Sequence, residues 1–172
     1  MLYYPLENKR RYIMDQKSLA KWIKIILIGV AIVGLIGLIV IIPELGKGII
    51  EGAPEFSGWY LPWIIFAWLV GVPCFTALFF GWKIAANIGR DRSFSYDNAK
   101  YLKIISYLAA GDSAFFLLGN IVMLFLGMSH PGVVLGSLLI TFIGVAIAVA
   151  AAALSHLVRK AAALQEESDL TI

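Results

Sequence analysis

The chain has 172 residues, of which 60% are hydrophobic and 15% charged, with a formal net charge of +3 and a mean hydropathy of +0.86. Soluble domains average roughly 45–50% apolar and 25% charged residues, so this composition excludes most soluble folds and points to an integral membrane protein. At about 20 residues per spanning helix, the apolar runs supply four spans and leave too little chain for a separate soluble domain.

Residues 1–21 read as a basic tail, and Lys9, Arg10, Arg11, Lys17, Lys21 and Lys24 lie in it or just beyond it. Met14-Asp15-Gln16-Lys17 offers a second start for the same membrane protein. The first apolar run covers about residues 22–42. It is too long for the core of a secretory signal and no A-x-A-like cleavage site follows Ile42, so it reads as a retained anchor. The connection 43–60 sets Glu44, Glu51 and Glu55 among Gly46, Gly48, Gly52 and Gly58. It reads as a flexible acidic cover, either a solvated connector or a cation or ligand site.

The second run, about 61–82, opens beside Trp59, Tyr60 and Trp63, a cluster suited to a membrane–water interface. Trp68, deeper in the run, faces lipid or core. Pro73 removes a backbone donor and is expected to kink the helix. Cys74, the single cysteine, reads as inert packing, since one thiol supports no disulfide framework within the chain. The loop 83–103 carries Lys83, Arg90, Arg92, Lys100 and Lys103. Within it, Ser95-x-x-Asn98 fits a helix N-cap, with Asp97 favoured by the dipole in the first turn.

The third run, about 104–126, contains Asp112. A short connection, 127–132, holds His130 beside a Pro131-Gly132 breaker. The fourth run, about 133–158, carries Gly144, Ala148 and Ala152 every four positions, a stripe that lets another backbone approach closely. That stripe serves packing within the chain or, alternatively, a homodimer seam. Residues 159–172 are expected to extend the last helix from Arg159 to Gln165 before Glu166, Glu167 and Asp169 fray it.

Charge placement predicts orientation. Thirteen of the fourteen Lys and Arg residues fall in the N-terminal tail, the 83–103 loop or the C-terminal extension, and the opposite side holds Lys47 alone. By the positive-inside rule both termini and the 83–103 loop are cytoplasmic, and 43–60 and 127–132 are external. The economical architecture is an all-α antiparallel bundle of four transmembrane helices. Ala20-Lys21-Trp22-Ile23-Lys24-Ile25-Ile26 matches Ala99-Lys100-Tyr101-Leu102-Lys103-Ile104-Ile105 in residue class at every position. This suggests two parallel hairpin repeats, although basic anchors followed by Ile or Leu would give the same match without duplication.

Asp112 is the one formal charge well inside a span, about 12 Å beyond Ile104 at 1.5 Å per residue. A carboxyl group there is costly unless paired, protonated or wetted. Ser113 and Asn120 on the same helix, Ser137 and Thr141 on the fourth, and the carbonyl freed by Pro73 are its candidate polar neighbours. Two readings stand: an interhelical lock worth about 0.6 kcal/mol, or ion or proton coupling. Gly111-Asp112-Ser113 resembles the nucleophile block of some serine hydrolases, but His130 and His156 lie several turns away in depth, beyond the ~3 Å a base requires. There is no H-E-x-x-H, Walker loop or metal-spaced Cys/His cluster. The expectation is a protein that is not an enzyme and needs no cofactor or metal.

The stretch Trp82-Lys83-Ile84-Ala85-Ala86-Asn87-Ile88-Gly89-Arg90-Asp91-Arg92-Ser93-Phe94-Ser95, followed by Asn98-Ala99-Lys100 and the Gly111-Asp112 span, resembles a family of bacterial four-helix inner-membrane proteins of unknown function. The resemblance covers about Met14 to the C-terminus. It implies a location in the bacterial inner membrane. Members of that family are often encoded beside a small Xre-type helix-turn-helix regulator, which implies a DNA-binding protein as partner rather than nucleic acid itself. The leading hypothesis is then a regulatory or sensory membrane protein that docks its partner through Arg90, Arg92, Asn98 and Lys100. A small proton-coupled transporter or exporter using Asp112 is the second hypothesis. An assembly or immunity factor acting by helix packing is the third.

Overall fold

The computed structural model describes the backbone of residues 6–170 and the side chains of residues 15–168. The side chains of Lys9, Arg10, Arg11, Met14 and Asp169 lie outside that range. Helix α1 (Leu6–Ile36) runs through a π turn (Gly37–Ile41) into α2 (Ile42–Gly52), and a 3-10 turn (Pro54–Trp59) leads to α3 (Tyr60–Ile88). Helices α4 (Tyr96–Phe125) and α5 (Pro131–Leu170) complete the chain. Four helical stretches, 15–52, 54–88, 96–125 and 131–168, are long and apolar enough to cross a membrane. The protein is therefore an all-helical membrane protein with four spans, and its many exposed Leu, Ile, Val and Phe side chains suit a lipid surround.

The connection 43–60 departs from the flexible cover the glycines suggest. The helix continues to Gly52 because Pro43 sits at the first turn of α2, where a missing amide is tolerated. The π turn makes room for it: Ile42 donates its N–H to Gly37, and the next amide in that register would be that of Pro43, which has none. The Leu38 carbonyl is thereby left open, and the Trp68 indole fills it with a hydrogen bond of 3.3 Å. Trp68 thus binds α3 to the π turn of α1. The helix ends at Ala53, held near φ −145°, ψ 79° by the proline that follows it.

Two helix ends share one device. At the end of α3, Arg92 N–H bonds the Asn87 carbonyl and Asp91 N–H that of Ile88, with Asp91 at φ 60°. At the end of α4, Met128 N–H bonds the Met123 carbonyl and Gly127 N–H that of Leu124, with Gly127 at φ 70°. Both are Schellman caps, which turn the chain by one left-handed residue. The start of α4 is as expected, with Ser95 Oγ accepting from Asn98 N–H at 3.3 Å. The end of α5 is not. It stays helical through Leu170 instead of fraying at the acidic tail, and Tyr96 donates to Glu166 there at 3.2 Å.

The spans pack in chain order: α1 on α3, α3 on α4 and α4 on α5. Among the described residues α1 and α5 do not touch, so the four antiparallel helices form an open row rather than a closed ring. Phe66 lies on Phe115 and Phe116 in the α3–α4 seam, and Phe80 lies on Tyr101 nearer the basic end. The α4–α5 seam is the most extensive and is built of small and polar residues at seven-residue spacing. Ala99, Ser106, Ser113 and Asn120 are buried along α4, and Ser137, Ala148, Ala151, Ser155 and Ala162 along α5. Gly144 belongs to this seam, because a Cβ there would strike Ser113 Oγ. The expected member Ala152 does not belong and is exposed. Eight residues turn a helix by 80° and seven by only 20° in the opposite sense, so Ala151 rather than Ala152 stays in line with Gly144. The stripe is covered by α4, so the homodimer alternative has no free small-residue face at Gly144 and Ala148.

Candidate functional site

Apart from Lys47, the described basic residues gather toward one end of the row. There the turn between α3 and α4 is held from inside by two asparagines. Asn87 donates to Asn98 Oδ1 at 2.8 Å, and Asn98 Nδ2 donates to the carbonyls of Arg92 (3.1 Å) and Ser93 (3.0 Å). Asn98 is 1% exposed. Its expected role as a surface docking residue is therefore corrected: its amide is consumed by the turn, and no face of it reaches a partner. The positive-φ position at Asp91 and the Ser95 cap fix the remaining backbone of this loop.

Further bonds tie this turn to the other helices. Ser93 Oγ donates to Gln16 Oε1 on α1 at 3.3 Å, Tyr96 OH to Glu166 on α5, and Ser155 Oγ to the Ala99 carbonyl at 2.7 Å. All four spans thus contribute to one surface. Arg90, Arg92 and Lys100 stand exposed on it, and none of them makes an ion pair among the described residues. The deeper lysines differ in role. Lys24 lies over the Trp82 ring at 5.1 Å, Lys83 over Phe79 at 4.7 Å and Lys103 over Tyr107 at 5.6 Å. These cation–π contacts anchor the aliphatic stems at the level of an aromatic belt.

The intramembrane polar residues do not gather around Asp112. Consecutive helical positions point 100° apart, and Asp112 faces α3 while Ser113 faces α5. The partner of Asp112 is Cys74, whose thiol donates to Oδ2 at 3.4 Å. The other carboxyl oxygen, Oδ1, is buried without a partner among the described residues, as is Thr141 Oγ1. Ser113, Asn120 and Ser137 each return a hydrogen bond to their own helix, at the carbonyls of Ala109, Phe116 and Val134. Such local bonds satisfy the side chain without joining helices. Cys74, read as inert packing, is the residue the sequence reading missed. Its one available signal was its place directly after Pro73, at the same depth as Asp112 in an antiparallel neighbour.

Comparison with known proteins agrees with the membrane reading. A family model described as a protein of unknown function, DUF2975, matches residues 44–172. The uncharacterized membrane protein YoaS of Bacillus subtilis (strain 168) is 30% identical over 154 residues, 87% of this chain and 94% of that protein. No solved structure matches the chain.

Proposed function

The chain belongs to the DUF2975 family, and from that premise we propose that it is a non-enzymatic regulatory protein of the bacterial inner membrane, with its basic end in the cytoplasm. In this reading the surface around Arg90, Arg92 and Lys100 holds a small helix-turn-helix transcription regulator by an acidic face. The observation that carries it is the buried Asn87–Asn98 network, which spends two asparagines and a left-handed residue on keeping in one shape an exposed cationic turn that makes no ion pair among the described residues. A loop that only set topology would need the charges but not the scaffold. Fixed geometry favours specific recognition, because the ordering cost is met before the partner arrives. The positive-inside rule supports the orientation, and the resemblance of the inner-loop pattern supports the class of partner.

The test is crosslinked affinity purification of the full-length protein from native membranes. The wild type is expected to bring down a small DNA-binding protein, and Arg90→Glu with Arg92→Glu to lose it while the bundle stays folded. Retention by the double variant would remove this face from the reading.

One observation favours a second reading. Asp112 Oδ1, without a partner among the described residues, gives a proton a place to bind at mid-span. Proton-coupled flux in liposomes that is lost in Asp112→Asn would support a transporter, and flux that survives the change would end that reading.

A further inference from the structure

At the end of the row opposite the basic surface, α2 and the 3-10 turn border, with the α3–α4 seam, a half-open cavity of about 560 Å³. Its volume lies within the ~300–1,000 Å³ usual for small-molecule pockets. The Tyr60 hydroxyl donates to the Pro43 carbonyl at 3.4 Å, closing the corner between α2 and α3. Across the mouth, Trp63 Nε1 donates to the Met128 carbonyl at 3.1 Å and binds α3 to the α4–α5 turn. The walls are therefore tied by hydrogen bonds that do not depend on an occupant.

Two aromatic pairs line the space. Phe56 and Trp63 have ring centroids 6.2 Å apart, and Phe66 and Phe116 are stacked at 6.1 Å with planes 11° from parallel. Among these apolar walls stands Asn120, which is 6% exposed. Its Nδ2 donates to the Phe116 carbonyl at 2.8 Å. Its Oδ1 takes no hydrogen bond from any described residue, although it belongs to a carboxamide buried among apolar walls. The sealed polar side-chain atoms without a partner among the described residues are Asp112 Oδ1 and Thr141 Oγ1, so Asn120 Oδ1 stays reachable from the cavity and open to a donor brought by a ligand.

We propose that this cavity binds an uncharged aromatic amphiphile whose hydroxyl or amine donates a hydrogen bond to Asn120 Oδ1. No Asp, Glu, Lys or Arg side chain lines the cavity, so it offers a charged ligand no carboxylate, ammonium or guanidinium partner and favours an uncharged one. The paired rings favour a flat aromatic body over a flexible alkyl chain, since offset and edge contacts add to simple burial. Ser129 and His130 at the α4–α5 turn supply a polar rim for the wet end of such a molecule. This inference rests on the cavity alone and stands or falls independently of the docking surface at the other end.

The probe is a diazirine-bearing benzyl alcohol, photolysed with the full-length protein in lipid nanodiscs and located by peptide mass spectrometry. Labelling is expected to saturate, to concentrate on Trp63, Phe116 and Met123, and to be displaced by unlabelled benzyl alcohol. Asn120→Leu is expected to weaken half-saturation by about tenfold, the loss of one buried hydrogen bond. Ile49→Trp, at a rim position that is 50% exposed, fills the mouth without touching the seam and is expected to abolish labelling inside. It keeps the test decisive if the Asn120 variant does not fold. Labelling that fails to saturate, or that falls equally on Trp68 and Phe79 in the groove between α1 and α3, would mean partition into lipid-filled space and would overturn the proposal.

Discussion

Asn87 Nδ2 donates to Asn98 Oδ1 at 2.8 Å, and both side chains are buried at the turn where α3 hands over to α4. Replacing Asn98 by Ala strands the Arg92 and Ser93 carbonyls and the Asn87 amide at once. With each buried orphan costing about 1–3 kcal/mol and partial rescue by water, the expected loss is about 2–4 kcal/mol. In detergent the variant should unfold at lower temperature, and trypsin should cut at Arg90 and Arg92 much faster than in the wild type. Unchanged cleavage would show that the asparagines do not hold the turn.

The α4–α5 seam makes a second expectation specific. Gly144→Ala should cost about 1–3 kcal/mol, because the added methyl meets Ser113 Oγ and one helix must shift. Ser113→Ala removes that oxygen, so the double variant should recover much of the loss. Thermal denaturation of the four proteins gives the coupling, and simple additivity would contradict the contact.

A third pair of changes tests the π turn. Trp68→Phe leaves the Leu38 carbonyl without its donor and should destabilise by about 1–3 kcal/mol. Pro43→Ala restores a backbone amide one turn away, so the same Trp68→Phe change should cost markedly less in that background. Equal costs in the two backgrounds would mean that Pro43 is not the reason Leu38 is open.

Helix caps give a fourth. Gly127 at φ 70° admits a side chain only at about 1–2 kcal/mol, so Gly127→Ala should lower the unfolding midpoint. Asp91, at φ 60°, already bears part of that strain, and Asp91→Gly should raise the midpoint. A neutral Gly127→Ala would dismiss the cap as a source of stability.

Much of the fold was legible because membrane solvent imposes a simple rule. Four apolar runs of spanning length, basic flanks and the Ser95 cap are each local in sequence and are each present. The course of 43–60 was not legible, because its glycines and prolines read as breakers while the feature that absorbs Pro43 is a tertiary bond from Trp68. Asn98 was misread for a related reason: its sequence neighbours are polar loop residues, but its amide turns inward onto carbonyls that only the folded turn brings together. The seam was half legible. Gly144 and Ala148 were found by four-residue spacing, whereas the governing repeat is seven, which also brings in Ser106, Ala151 and Ser155. The Cys74–Asp112 contact needed the pairing depth of α3 and α4, which hydropathy gives only to within a turn.

The most direct test of the central claim is site-specific photocrosslinking in native membranes, with p-benzoyl-phenylalanine placed in turn at Arg92, Lys100 and Lys47. A docking surface on the basic end should give a discrete adduct with one small helix-turn-helix protein from positions 92 and 100, and none from position 47 at the opposite end. Adducts absent at 92 and 100 would contradict the docking surface, and the same adduct from 47 would contradict the orientation that puts it in the cytoplasm.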